Sequence, residues 1–388
     1  MSRLLDGAMG RMSESIKEDL QLARKIVIGM DCWSKRSLTA SCLYLAISAS
    51  FYHPSHHRPV HVVLNVKQIA HPHTGDMLAD KLMESLQYWG ISKSKVLTII
   101  TDNGSNMVKA VTVANEISEE KSDEENEANS EVDDESDEQA DEETEGMERE
   151  EMEVVEQMAN AVNLCRFPCM AHTLQLVIHA LTKSQSYSNL IMKVRDLVRF
   201  LKVSSVAQEK LISRCGKSVV KDCTTRWNAT LMMIDRLLNI HGPVDEVLKE
   251  LKRDSLTNSE WGRVADLQRL LAPFKEHTDS LQTDTLALSS VIPSILELKL
   301  HLQAPSLPRQ HADTLLQSLL RRFSPLLDPS DSSFDPLPDT ACFLDPTVSA
   351  VIMRDDMVPM LTSAMSYIRL HVSSVSAFLQ FSLLLIFY

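Results

Sequence analysis

Cysteine is scarce in this 388-residue chain: Cys32, Cys42, Cys165, Cys169, Cys215, Cys223 and Cys342 are scattered and odd in number. A disulfide-stapled secreted scaffold needs a denser, paired set, so reduced thiols of a cytosolic or nuclear protein are expected. An apolar leader is lacking as well. Residues 1–25 are polar and mixed in charge, which argues against a secretory signal. The uncharged stretch "VSSVSAFLQFSLLLIFY" at 372–388 falls short of the ~20 residues a membrane helix needs. No membrane partner is expected, and this stretch reads as a truncated or aberrant end. No internal repeat is present.

Positive charge is not in excess, since the formal net charge is −14. That total conceals an uneven distribution. Residues 116–157 hold 22 Asp or Glu against two basic residues, Lys121 and Arg149, a balance of −20 that leaves the remainder of the chain at +6. The remainder is therefore mildly basic, a balance compatible with a nucleic-acid partner. With 44% hydrophobic residues the chain can bury a sizeable core.

Hydrophobic patterning gives the order of elements. "KIVIGMDCWS", "SLTASCLYLAISASFY" and "RPVHVVLNVKQI" read as three strands with short, hairpin-like connections. "HTGDMLADKLMESLQYWGI" reads as a helix. Thr74 is its N-cap, Asp76 lies in its first turn, Leu78, Leu82, Leu86 and Trp89 form one face, and Gly90 is its stop. "KVLTIITDNGSNMVKA" is an apolar run that ends on Asp102-Asn103-Gly104 and turns into a short helix over 106–117. The acidic tract follows, with almost no aromatic or β-branched content, and is expected to be a disordered insert. "NLCRFPCMAHTLQLVIHALTK" resumes as a short strand and a helix. Helices are then expected over 190–205, 228–251, 261–281 and 286–302, followed by a Pro/Ser-rich segment around the single short helix "HADTLLQSLLRR".

Three antiparallel strands followed by β-α-β give an α/β fold: an RNase H-like mixed five-stranded sheet with a large all-helical insertion domain and a disordered acidic insert. The expected boundaries are an N-terminal helical segment at 1–24 and an RNase H-like domain at 25–117 and 158–182. The acidic insert occupies 118–157, the helical insertion domain 183–304, and the Pro/Ser-rich segment with the apolar tail 305–388. In this arrangement the first strand lies beside the fourth, which makes Asp31 and Asp102 neighbours at the rim where open α/β sheets place ligands. Paired carboxylates there suit Mg²⁺ or Mn²⁺; the plainer reading makes both aspartates turn residues.

Other residue groups read more simply. "CRFPCMAH" offers thiolates and an imidazole, but structural zinc wants four protein ligands and no fourth lies nearby. His179, on the apolar stripe of the helix that follows, reads as a core or capping residue. "HPSHHRPVH" reads as a solvated loop. Trp33 and Trp89 read as core, whereas Trp227 is open between packing and a DNA-facing role. The acidic tract reads as a tolerated surface insertion, with docking of basic proteins such as histones, or repulsion of DNA, as its functional alternative.

The blocks "GMDCWSKRSLTA", "HTGDMLADKL", "TDNGSNMVKA", "CMAHTLQLVIHAL" and "DCTTRWNATLMMIDRLL" together resemble the hAT transposase superfamily, and in particular the domesticated zinc finger BED domain-containing proteins. The resemblance implies that Asp31 and Asp102 match the first two acids of the catalytic set and that Cys169 and His172 match the Cys-x-x-His motif. It further implies that Arg226 and Trp227 match the Arg-Trp motif of the helical insertion domain, whose Trp handles an unpaired base of flanking DNA. It also implies a BED finger, a third catalytic acid and a dimerisation segment, none of which is matched here; no Cys precedes Cys32, and the family's Asp-Pro-Arg reads Asp345-Pro346-Thr347.

The expectation is therefore a domesticated nuclear protein that is catalytically inactive, needs no cofactor beyond Mg²⁺ or Mn²⁺ at a remnant site, and acts in DNA or chromatin binding and transcription regulation. Two alternatives are an interaction scaffold working through the acidic tract, and a metal-dependent recombinase or nuclease completed by a third acid from a longer form.

Overall fold

Small and β-branched residues alternating along the first third of the chain form four strands of a five-stranded sheet. A computed structural model describes residues 2–36, 41–69, 73–127, 163–223, 227–281 and 288–371. The acidic tract beyond residue 127, Arg226 and the apolar stretch at 372–388 lie outside the described residues. The chain divides into two compact units between Cys169 and Met170.

In the first unit, helix α1 (Ser2–Leu22) precedes strands β1 (Ile26–Arg36), β2 (Ser41–His53) and β3 (Arg58–Ile69), then α2 (Gly75–Trp89), β4 (Val96–Thr101), α3 (Ser105–Glu127) and β5 (Arg166–Pro168). The sheet order is β3-β2-β1-β4-β5. β2 runs antiparallel to both β1 and β3, while β1–β4 and β4–β5 are parallel. This is the mixed five-stranded RNase H-like sheet.

Strand periodicity sorts the side chains of β1 onto two faces. Ile26, Ile28 and Met30 join Leu45, Ile47, Ala49 and Phe51 of β2 in a core completed by Leu78, Leu82 and Leu86 of α2 and Met107, Ala110 and Ala114 of α3. The odd positions Gly29, Asp31 and Trp33 lie on the other face. Helix α2 is capped as expected: Thr74 Oγ1 accepts from the Met77 amide (3.3 Å), and Gly90 ends the helix at φ 67°. Helix α3 runs to Glu127, ten residues past the expected boundary of the acidic insert. Glu and Lys are good helix formers.

Two expectations about this unit are corrected. Trp33 is 41% exposed, because an odd position of β1 points away from the core. His53 is not in a solvated loop; it is buried at the end of β2, its Nε2 3.1 Å from Asp19 Oδ1 of α1. Its Nδ1 accepts from the amides of Ser55 and His56, each at 3.2 Å, so Nε2 is the donor to Asp19.

The second unit is helical: α4 (Met170–Thr182), α5 (Gln185–Val203), α6 (Ser205–Cys215), α7 (Trp227–Asn239), α8 (His241–Glu250), α9 (Asn258–Ser280), α10 (Val291–Leu302), α11 (Arg309–Leu327), α12 (Leu337–Leu344) and α13 (Val358–His371). The helix expected over 228–251 is two helices broken at Ile240. Pro243, which lacks an N–H, is accommodated in the first turn of α8, so a new helix begins there.

The segment after residue 305 differs more. In place of one short helix it folds α11, α12 and α13, burying Leu315, Leu319, Phe323, Leu337, Ala341, Met360 and Ala364. The apolar stripe Ala312-Leu315-Leu319-Phe323-Leu326 recurs at three- and four-residue steps and carries α11 over five turns despite the flanking prolines. His179, expected in the core or as a cap, is exposed on α4. No helix among the described residues is long and apolar enough to cross a membrane.

Candidate functional site at the parallel strand ends

The site is built from strand register. Met30 of β1 lies opposite Thr101 of β4, and Thr101 opposite Pro168 of β5. Asp31 follows Met30 within β1, while Asp102 and Cys169 are the first residues past the ends of β4 and β5, so the three follow level positions on adjacent parallel strands about 4.8 Å apart. Cys32 feels the charge of both Asp31 and Asp102, which puts the two carboxylates on one stretch of the rim. Asp31 is exposed, and Asp102 is half-buried.

Both carboxylates act on Cys32. Burial first, then the charges of Asp102 and Asp31, push its thiol up to about 11. The protonated Sγ lies 3.9 Å from Met107 Sδ on α3, so Cys32 is a packing thiol beneath the pair rather than a thiolate nucleophile.

The Asp102 turn is held from two directions. Asp102 Oδ1 accepts from the Gly104 amide (2.9 Å), an Asx turn that leads into α3. From β5, Arg166 donates to Thr101 Oγ1 (2.7 Å), to the Asp102 carbonyl (2.6 Å) and to Asn103 Oδ1 (2.8 Å). Burial lowers the Arg166 pKa, while Asp102 and Cys169 act in the opposite direction; a guanidinium keeps its charge in this setting. Arg166 has no counterpart among the residues expected from sequence. One Arg in "CRFPCMAH" carries no signal until the β4–β5 register places it against the Asp102 turn.

Asn115 is a second residue on which the sequence is silent. Its side chain accepts from the Leu164 amide (2.7 Å) and donates to the Leu164 carbonyl (3.2 Å). This pair closes the neck of the acidic insertion, joining α3 to the start of β5.

The donor set does not make a closed metal centre. Among the described residues no group of three or more His, Cys, Asp or Glu side chains has an arrangement able to hold a metal ion. One oxygen of Asp102 is already taken by an amide. Two carboxylates can hold a hydrated Mg²⁺ or Mn²⁺ weakly, but they do not fit the paired-ion site of phosphoryl transfer.

The remaining expected residues have other settings. Cys169 is half-buried just past the end of β5, its amide donating to the Thr101 carbonyl (2.8 Å). His172 is exposed in the first turn of α4, in the second unit. Trp227 opens α7 and is only 9% exposed, so its indole is packed inside the helical unit. The role in base handling that the resemblance assigned to it does not fit that burial. The Asp of the same motif ties two helices together, since Asp222 Oδ2 accepts from Arg195 Nε of α5 (2.7 Å) and from Thr230 Oγ1 of α7 (3.1 Å).

Comparison with known proteins agrees with this architecture. The family described as the ZBED1 RNase-like domain matches residues 29–128, and the ZBED1 RNase-like helical domain matches residues 167–270. The "Putative transcriptional regulator tpeD" of Talaromyces stipitatus is 24% identical over 323 residues, covering 75% of this chain and 33% of that protein. The zinc finger BED domain-containing protein RICESLEEPER 3 of Oryza sativa subsp. japonica is 23% identical over 200 residues, covering 49% of this chain and 22% of that protein. The chain thus spans about a third of the first relative's length and about a fifth of the second's. An RNase H-like sheet with paired rim aspartates, the two matched domains and these relatives place the chain in the hAT transposase-derived family of zinc finger BED domain-containing proteins.

Proposed function

We propose that this chain is a domesticated, non-cleaving nuclear regulator that binds DNA or chromatin. The observation that supports the reading is the Asp31–Asp102 pair on an RNase H-like rim, which no third His, Cys, Asp or Glu side chain joins in a metal-holding group among the described residues. The relatives named as a transcriptional regulator and as a BED zinc finger protein support a nuclear role. A charge of +6 outside residues 116–157 supports contact with phosphates.

Fluorescence anisotropy with duplex DNA across a salt series tests it. Binding should weaken steeply with salt, log K falling by roughly 0.9 per log unit of salt for each phosphate neutralised. No binding at low salt overturns the DNA reading. Mn²⁺-dependent nicking that Asp102→Asn abolishes overturns the non-cleaving one. The acidic tract favours a second reading, a scaffold for basic proteins such as histones; it predicts histone capture that is lost when residues 116–157 are deleted and no salt-sensitive DNA binding.

A further inference from the structure

Of the four tryptophans, Trp89, Trp227 and Trp261 are 5%, 9% and 5% exposed, whereas Trp33 is 41% exposed. Leaving that much indole in water forgoes the burial the other three obtain. The ring is not loosely placed. It stacks on Tyr44, its antiparallel partner on β2, with centroids 5.7 Å apart and planes 18° apart.

The neighbourhood favours a flat ligand. Asp31 lies two residues before Trp33, on the same face of β1 and opposite Ala46. Beyond Ala46, on β3, stands Val66, itself 56% exposed. Gly29 and Ser48 pair on the same face, so small side chains form a low floor between the ring pair and the sheet's far side. The floor is tightly made: a Cβ on Gly29 would stand 2.6 Å from Ser48 Oγ.

We propose that this face of β1 and β2 is a stacking platform for an unpaired base of single-stranded DNA, with Trp33 as the stacking ring, Tyr44 as its support and Asp31 as the edge reader. This rests on the nucleic-acid reading above and adds the ligand. An aromatic face accepts any base. The Asp31 carboxylate is an acceptor only, so it favours bases that present an amino group, as carboxylates do with cytosine N4, over thymine, whose single N3–H donor is flanked by two carbonyl oxygens that repel the carboxylate. The same charge repels phosphates and acidic peptides, so the base rather than the backbone must enter beside it.

The buried state of the other tryptophans makes the test direct. The wild-type chain is titrated with oligo(dC) and oligo(dT) of about 20 nucleotides, longer than a single stacking site needs, following the red edge of tryptophan emission, which reports on Trp33. Quenching by oligo(dC) exceeding that by oligo(dT) is expected. Trp33→Ala should weaken oligo(dC) binding roughly tenfold or more, the scale of one lost base stack, while Trp33→Phe keeps most of it and Asp31→Asn narrows the dC/dT preference. Duplex binding should be unchanged in Trp33→Ala. Duplex binding with no single-strand binding, or equal oligo(dC) affinity in wild type and Trp33→Ala, overturns this proposal and leaves the regulator reading intact. Trp33-dependent oligo(dC) binding without duplex binding upholds it and overturns the duplex reading. Red-edge quenching by a bound protein but by neither oligonucleotide would make the face a protein-docking surface and overturn the proposal.

Discussion

Arg166 on β5 donates to the main-chain carbonyl of Asp102 at 2.6 Å, and the same guanidinium reaches Thr101 Oγ1 and Asn103 Oδ1. One side chain therefore sets the turn that presents the second carboxylate of the site. Because Arg166 follows Leu164 by two residues, and Leu164 is clamped by Asn115, the turn is also tied to the neck of the acidic insertion.

Arg166→Ala should destabilise the first unit by about 1–3 kcal/mol, since three charge-assisted hydrogen bonds to the turn are lost and the Asp102 carbonyl keeps only the Thr101 hydroxyl, at 2.9 Å. Arg166→Lys should recover only part of this, because a point ammonium cannot reproduce the fork. Urea unfolding of the three proteins measures the effect. Equal midpoints for wild type and Arg166→Ala would show that the turn holds without the guanidinium.

A second prediction concerns the last helices. Asp339 on α12 is fully buried, and neither carboxyl oxygen has a hydrogen-bond partner among the described residues. Burial, assisted by the neighbouring Asp335 charge, pushes Asp339 up to about 8. Burial raises Asp335 as well, against the Leu337 amide bond that favours its charged form. Cys342 is the other titrating group in this set, its thiol raised to about 12 by burial and then by Asp339 and Asp345. Asp345 differs: Ser289 Oγ donates to Oδ2 (2.7 Å) and the Thr347 amide to Oδ1 (2.9 Å).

The sign follows from proton counting. Between the ordinary carboxylate value of 3.8 and about 8 the native state holds a proton that the unfolded chain has released. Stability is therefore greatest below that window and falls as pH rises through it. Asp339→Asn removes the titration and should stabilise the protein by on the order of a few kcal/mol at pH 7, with little effect at pH 4. Denaturant unfolding at pH 4, 7 and 9 checks it; a parallel pH dependence in wild type and variant would contradict it.

A third prediction separates two tryptophans by stability alone. Trp227→Ala removes a packed indole from the helical unit and should cost about 3–5 kcal/mol. Trp33→Ala, on an open sheet face, should cost about 1 kcal/mol, mostly the stack on Tyr44. Thermal melts rank the pair, and the reverse order would place Trp33 in the core and Trp227 on the surface.

Local chemistry is legible in the sequence where it involves near neighbours. The Thr74 cap, the Gly90 stop and the Leu78-Leu82-Leu86-Trp89 stripe each depend on residues within a turn or two, and the structure keeps all of them. The strand order is legible because three short-linked strands followed by β-α-β leave few ways to close a sheet. The break at Ile240 and the folding of α11 to α13 are less so. Proline-bearing stretches look like loops until an apolar stripe finds something to pack against.

By itself, then, the order of residues determined the sheet and the arrival of Asp31 and Asp102 at one rim, since periodicity and connection length are properties of the chain, while its motif blocks carried the family resemblance. Tertiary structure alone decided which tryptophan meets solvent, which arginine sets the Asp102 turn and which aspartate is buried with no partner among the described residues. Those outcomes depend on strand register and on which face of an element is covered, and both arise only when distant segments pack together.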